Sequence, residues 1–418
     1  MEVPQSTEIF RLSNGLLVIF EPMPDVQSAA LSLLLPAGGT RDAAGRCGTA
    51  AILSEMFPRG ADGLSSRSLC AALDNLGLQR NFQTGSAHIT FSAATTADRL
   101  TDALPLIARM VLQPHLHDED FDPARDLVAQ SLLALEDEPR QQLGRLLRQY
   151  SYPAPWGNPS EGELADLEHI TPDDIRQHHQ QFVVPESAIL GIAGNLDPQQ
   201  LQQTLESVFG GWRGTAPPAV TTGTRPAAPF HQHHESAQTH LGLAWDTVKY
   251  SDPRYYEAWA AVSLLSGGMS SRLFTEVREK RGLCYAISAS LSTLQDDARV
   301  MVYAGTTTER AQETLDVTVK EILRLSEGIT EDELQRCRAR AKSSLIMQQE
   351  STSSRAGSLA RDMYLLRRFV SLKEIHDRID ALTVDGVRQF VIDHAPKSTV
   401  LVSIGPQAPD PSCLPQQL

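Results

Sequence analysis

Apolar and polar positions change period along this chain, and the changes mark out its elements. Leu16–Phe20 and Ala29–Leu35 are short apolar runs that predict an early strand pair. From Gly48 to Phe57 the apolar residues Ala50, Ile52, Leu53 and Met56 recur at helical spacing. His88–Ser92 alternates as a strand, and 101–112 is helical again. A helix beginning at Pro123 should end near Glu138-Pro139, because proline blocks continuation. Thr171-Pro172-Asp173-Asp174 is a helix start with proline in the first turn, and 188–193 is a short apolar strand stopped by Gly194-Asn195. The scheme then recurs: strand 240–245, helix 255–265, strands 286–291 and 299–304, long helices, and a last strand 399–404.

The segment 214–230, GTAPPAVTTGTRPAAPF, has no apolar period and reads as an extended, semi-rigid connector. Its place near mid-chain prompts a search for repetition. Thr96-Ala97-Asp98 and Thr308-Glu309-Arg310 each place a threonine cap before an acidic first turn. Arg125, Ser131 and Leu132 match Arg338, Ser344 and Leu345 at one constant spacing. The expectation is an α+β chain of two similar tandem halves, 1–213 and 231–405, joined by the linker 214–230. Each half should be a mostly antiparallel sheet with helices packed on one face. The tail 406–418 is rich in proline and glutamine and reads as disordered.

Composition narrows the function classes. Lys and Arg number 37 against 51 Asp and Glu, a net charge of −14 over 418 residues. Such a chain repels a phosphate backbone, so no nucleic-acid partner is expected. No apolar run reaches the roughly 18 residues of a membrane helix, so no membrane association is expected either. Met1-Glu2-Val3-Pro4 does not open a signal peptide, and the five cysteines form no CxxC and no disulfide framework. A reducing cytoplasm fits, or the periplasm if a signal peptide was removed.

Candidate chemistry is sparse. Twelve histidines are present, but neither HExxH nor HxxEH. His231, His233 and His234 read as a solvated linker end, and His115, His117, His178 and His179 as surface residues. GxSxG, P-loop and GxGxxG are all missing. The informative stretch is 264–290, LLSGGMSSRLFTEVREKRGLCYAISAS. A helix ends at Gly267-Gly268, and a second, capped by Ser270 or Ser271, runs from Arg272 to Glu279. The chain breaks at Gly282, and a strand begins near Tyr285. Arg278 and Tyr285 thus flank a helix-to-strand turn; taken alone they read equally as surface residues beside an ordinary Glu279–Lys280 ion pair. Cys284 reads as packed and Trp156 as a loop anchor.

This stretch resembles the second-half signature of the pitrilysin/insulinase zinc peptidases, the inverzincins, in its Gly267-Gly268, Ser271-Arg272-Leu273-Phe274, Arg278 and Gly282-Leu283-Cys284-Tyr285. Leu12–Leu16, Pro36–Asp42, Gly48-Thr49-Ala50 and Gly191–Leu196 resemble the family's first half. The resemblance spans nearly the whole chain and implies the small bacterial and mitochondrial branch, in which each chain forms half of a clamshell. It fails at the metal motif. Where the family has His-x-x-Glu-His, this chain has Ala51-Ile52-Leu53-Ser54-Glu55. Ala51 and Glu55 stand for ligands and Ser54 for the general base, and the third ligand, a later Glu, falls at Ser131. A catalytic zinc takes three protein ligands and a water, and no base remains for that water. The expectation is no metal in this chain.

The resemblance assigns Arg278 to a substrate backbone carbonyl and Tyr285 to the oxyanion of the scissile carbonyl. The implied protein is the zinc-less subunit of a heterodimeric metallopeptidase. A homologous partner would supply HxxEH and zinc, and the two would enclose a peptide added as a strand to a sheet edge in the partner. This chain alone should be inactive. Two other readings stand beside it: a catalytically inactive structural core subunit of a larger complex, and a homodimer that binds peptides without cutting them. The acidic surplus would favour basic peptides.

Overall fold

A computed structural model of the chain describes residues 7–415. The first half contributes β1 (Glu8–Arg11), β2 (Leu17–Pro22), β3 (Ser28–Leu35), the two-residue strands β4 (Gly60–Ala61) and β5 (Leu64–Ser65), β6 (Gln79–Thr84), β7 (Ile89–Thr96) and β8 (Ile189–Gly194). Apart from the β4–β5 hairpin these form one sheet in the order β1-β2-β8-β3-β7-β6. The second half contributes β9 (Phe230–His233), β10 (Gln238–Asp246), β11 (Cys284–Thr293), β12 (Ala298–Thr307) and β13 (Val400–Gly405), ordered β11-β12-β10-β13-β9.

Read from β6, the first sheet runs β6-β7-β3-β8-β2, which is the strand order of the second. The one parallel pairing also recurs at the same place, β2 on β8 and β9 on β13; the other pairings are antiparallel. The tandem α+β halves expected from the sequence are therefore a repeat of topology. One expectation needs correction. The early strands β2 and β3 are not paired with each other, because β8 returns from far along the chain and lies between them. A strand that closes a long crossover leaves no local signal of its insertion point.

The chain packs as two compact units whose limits cross the sequence halves. One holds the residues up to Ala134, then Ala154–Gly223 and Ile346–Phe369. The other holds Leu135–Pro153, Thr224–Leu345 and the residues from Val370 onward. Helix Thr352–Leu366 thus belongs to the first unit, where Ala356, Leu359, Ala360 and Met363 pack on Ile19, Ala30, Leu34, Ile189 and Ala193. Helix Pro139–Ser151 belongs to the second, where Leu143 and Leu147 pack on Ala244, Val400, Val402 and Ile404. The opposite face of the second sheet, with Leu241, Leu243 and Trp245, takes that half's own helices. Each sheet is apolar on both faces, as a covered strand requires. Arg355 carries a buried ion pair with Glu21 in β2.

The linker 214–229 has no regular structure, and Arg41 Nη1 donates to Pro218 O at 2.7 Å. Where composition reads as a disordered tail, the described residues to Pro415 are ordered. Asp410 N donates to Gln312 Oε1 at 2.7 Å, and Cys413 and Leu414 pack against the second unit's core. Two apolar anchors there outweigh a polar, proline-rich composition. His231 and His233 also depart from the linker-end reading: both lie in β9, with His231 Nδ1 2.9 Å from Ser403 Oγ.

Candidate functional site

Arg278 and Tyr285 are positioned by the turn between helix and β11. The segment Phe274–Glu279 is wound as a π-helix, with Lys280 N donating to Thr275 O at 2.9 Å. Such wide turns are uncommon and concentrate at functional positions. Gly282 has φ +59°, a left-handed conformation that costs glycine little. There the chain reverses, with Gly282 N bonded to Arg278 O and Leu283 N to Val277 O, both at 3.0 Å. Leu283 O accepts from the buried Thr306 and Thr314 hydroxyls, and Gly282 O from Arg310 Nη1. The turn is fixed by polar partners on two other elements, Thr306 on β12 and Arg310 and Thr314 at and within the following helix.

Tyr285 is the extra residue of a β-bulge. Cys284 pairs with Thr306 and Ala286 with Gly305, so no β12 residue opposes it. A bulge re-aims a side chain at a sheet edge, and β11 is the edge strand. The ring is 66 % exposed, an unusual position for a large aromatic. Cys284 beside it is buried, and burial pushes its thiol up to about 11, so it packs and does not act as a nucleophile. Arg278 is exposed, with its guanidinium carbon 4.8 Å from the Phe274 ring centroid. The neighbouring cations are committed: Lys280 and Arg281 both pair with Glu276. Among the described residues Arg278 pairs with no carboxylate. The expected Glu279–Lys280 pair is not the one formed.

The residues at the metal-motif positions have a different character. They lie on helix Thr49–Met56, whose N-terminus is capped from outside: Asp42 Oδ2 accepts from Gly48 N at 2.8 Å and Oδ1 from Ala50 N at 2.9 Å. Ala51 and Ser54 are buried in the packing, and Glu55 is exposed. Ser131, on helix Asp118–Glu136, returns its hydroxyl to Leu127 O at 2.9 Å. One carboxylate and two hydroxyls do not make a zinc ligand set. No group of three His, Cys, Asp or Glu placed to hold a metal occurs among the described residues.

His178 corrects its surface reading. It is 4 % exposed, with Nε2 2.9 Å from Ala37 O and Nδ1 3.9 Å from Asp42 Oδ1. Burial holds its imidazole at about 4 and raises the Asp42 carboxyl to about 7. Sequence reasoning missed this pair because the two residues lie far apart in the chain; only folding brings helix Pro172–Phe182 against the cap.

Comparison with known proteins accords with this architecture. Residues 17–161 match the profile of the insulinase peptidases, family M16, and residues 169–341 that of the peptidase M16 inactive domain. A Bacillus subtilis protein named as the uncharacterized zinc protease YmxG is 26 % identical over 411 residues, covering 96 % of this chain and 99 % of its own. The Mycobacterium tuberculosis uncharacterized zinc protease Rv2782c is 27 % identical over 418 residues, covering 97 % and 94 %. Among solved structures, the peptidase M16 inactive domain from Pseudomonas fluorescens superposes with a TM-score of 0.88 at 22 % identity, covering 97 % of this chain and 99 % of that one. A Helicobacter pylori protease does so with 0.85 at 20 %, covering 96 % and 99 %. A chain of complex III2 from Candida albicans gives 0.84 at 19 %, covering 96 % of each. These likenesses show the fold. With both halves matched by M16 profiles, the chain belongs to the pitrilysin/insulinase-like M16 peptidase family.

Proposed function

We propose that this chain is the zinc-less subunit of a two-chain M16 metallopeptidase and acts on peptides with a homologous, zinc-bearing partner. The observation that carries the reading is the contrast between its two motifs. Helix Thr49–Met56 offers one carboxylate where a metal site needs three ligands, while the bulge at β11 presents Tyr285 to solvent with Arg278 uncommitted nearby. Packing alone gives no reason to turn an aromatic ring of that size out to solvent. The partner supplies metal and base, the chemistry that activates water and polarises the carbonyl. Arg278 donates from its planar fork to a backbone carbonyl of the peptide and fixes its register. The Tyr285 hydroxyl donates to the oxygen that gains charge as the carbonyl is attacked, and leaves the enzyme unchanged. The domain limits 1–213, 214–230 and 231–405 are proposed as the sequence boundaries of the two repeats.

The test is peptide hydrolysis with zinc analysis, on this chain alone and mixed with the HxxEH-bearing homologue of the same organism. The expected result is a zinc-free, inert chain and an active mixture. Zinc bound at one equivalent with activity in this chain alone would overturn the reading of Ala51, Ser54, Glu55 and Ser131. An inert mixture would move the assignment to a structural subunit or a peptide-binding homodimer.

A further inference from the structure

The second unit contains a cavity of about 610 Å³. It lies between helix Tyr255–Ser266 and helix Glu331–Gln349, and its lining includes Trp259, Ser263, Gly268, Met269, Arg336 and Arg340. These two helices are the repeat's counterparts of Thr49–Met56 and Asp118–Glu136. The first follows β10 as Thr49–Met56 follows β3, and Ser344 on the second stands where Ser131 stands on its counterpart. The cavity therefore lies between the second half's counterparts of the two helices that carry the metal-motif positions in the first.

Its charges are not those of a metal site. Glu333 is held by Arg272, with Nε and Nη2 at 2.8 and 3.0 Å, and by Thr330; these donors keep its carboxylate at about 2 against the opposing pull of burial. Arg336 pairs with Asp332. Cys337 is buried, and burial raises its thiol, which disfavours the thiolate. Arg340 is different. It is exposed and pairs with no carboxylate among the described residues. Its guanidinium lies over Gly268, where an added methyl carbon would sit 2.8 Å from Nη1. Leu264, Ala341 and Trp259 supply apolar wall beside it.

We propose that this cavity binds the C-terminal carboxylate of a peptide, with Arg340 as the anchoring donor and the apolar wall receiving the last side chain. An uncommitted planar cation against apolar surface matches a carboxylate fixed next to an apolar group, which a peptide C-terminus provides. In a chain of net charge −14, such a cation is a local exception that selects for anions. The inference deepens the peptidase reading and rests on it for the ligand being a peptide.

The test is calorimetric titration of the full chain, without partner, using an N-acetylated tripeptide ending in phenylalanine. Three forms are compared: the free acid, its C-terminal amide, and an amide carrying a glutamate side chain instead. The free acid should bind at least about tenfold more tightly than either amide, the scale of a lost charge-assisted hydrogen bond. Arg340→Gln should remove that advantage and leave the amides unchanged. Gly268→Ala, which displaces the guanidinium by its methyl, should reduce it, with unchanged melting curves showing that both variants fold. Equal binding of acid and amide, no binding at all, or an Arg340→Gln variant that keeps acid preference would each overturn the site. Equal binding of the glutamate amide would overturn the C-terminal assignment. Because turnover is not measured, acid-selective binding beside an inert hydrolysis mixture would reject the split catalytic site alone, and an active mixture without binding would reject this pocket alone.

Discussion

At the residue scale, function and stability rest on side chains in different settings. In the proposed split site Tyr285 would act only where charge develops, so Tyr285→Phe in the proposed two-chain enzyme should lower kcat about 10²–10³-fold with KM little changed. On the same proposal Arg278 would hold the ground state as well, and Arg278→Ala should raise KM. Equal effects on both constants for both variants would sink the division of roles. Asp42 and His178 predict a pH effect. His178 is held at about 4, below its unfolded value of about 6.5, so its contribution is present above pH 6.5 and is lost as pH falls toward 4. Asp42 is raised to about 7, above its unfolded value of about 4, so its contribution has the opposite sign and grows as pH falls through the same window. Asp42→Asn should therefore make the fall of Tm between pH 6.5 and 4 steeper than in the wild type. Parallel profiles would contradict a carboxyl raised by burial at Asp42. The Arg278–Tyr285 turn was legible in the sequence because its glycines and spacing are local. The Asp42–His178 contact was not, because it joins segments far apart in the chain.

At the element scale, helix Thr352–Leu366 packs backbone to backbone on β8. An added methyl at Gly191 would drive into Ala356 O and sit 3.0 Å from Ala360 N, both backbone atoms that cannot step aside. At Gly242 on β10 the corresponding methyl would meet only the Leu143 and Leu147 side chains, at 3.3–3.4 Å. Gly191→Ala should cost about 3 kcal/mol or more in urea unfolding, and Gly242→Ala about 1 kcal/mol or less. Similar costs would mean that the helix shifts freely on its sheet. The longer strands were readable from period, but β1, β6, β9 and the β4–β5 hairpin were not, nor were helices such as Ser66–Asn75 and Pro198–Phe209. Strand order was not, since β8 enters between β2 and β3 through pairings that no local pattern encodes.

At the scale of the whole molecule, each packing unit borrows one helix from the other half of the sequence. The linker looks like a place to divide the protein, yet dividing it there would strip Ala356, Leu359 and Met363 from the first sheet and Leu143 and Leu147 from the second. Fragments cut within 214–223 should each expose apolar sheet and aggregate or bind hydrophobic dye when expressed alone. Co-expressed, they should recover a native-like melting transition. Two soluble, cooperatively melting fragments would contradict the exchange of helices.

The sequence by itself determined the two tandem α+β halves, the family, the departure from the family's metal motif at Ala51, Ser54, Glu55 and Ser131, and the candidates Arg278 and Tyr285. Each of these is written in local spacing or in residue chemistry at a fixed position. Tertiary structure decided the insertion of β8, the helix exchange between units, the burial of His178 beside Asp42, the bulge that turns Tyr285 outward, and the cavity under Arg340. All of these depend on contacts between segments remote in the chain, where the free energy of packing, and no local preference, selects the arrangement.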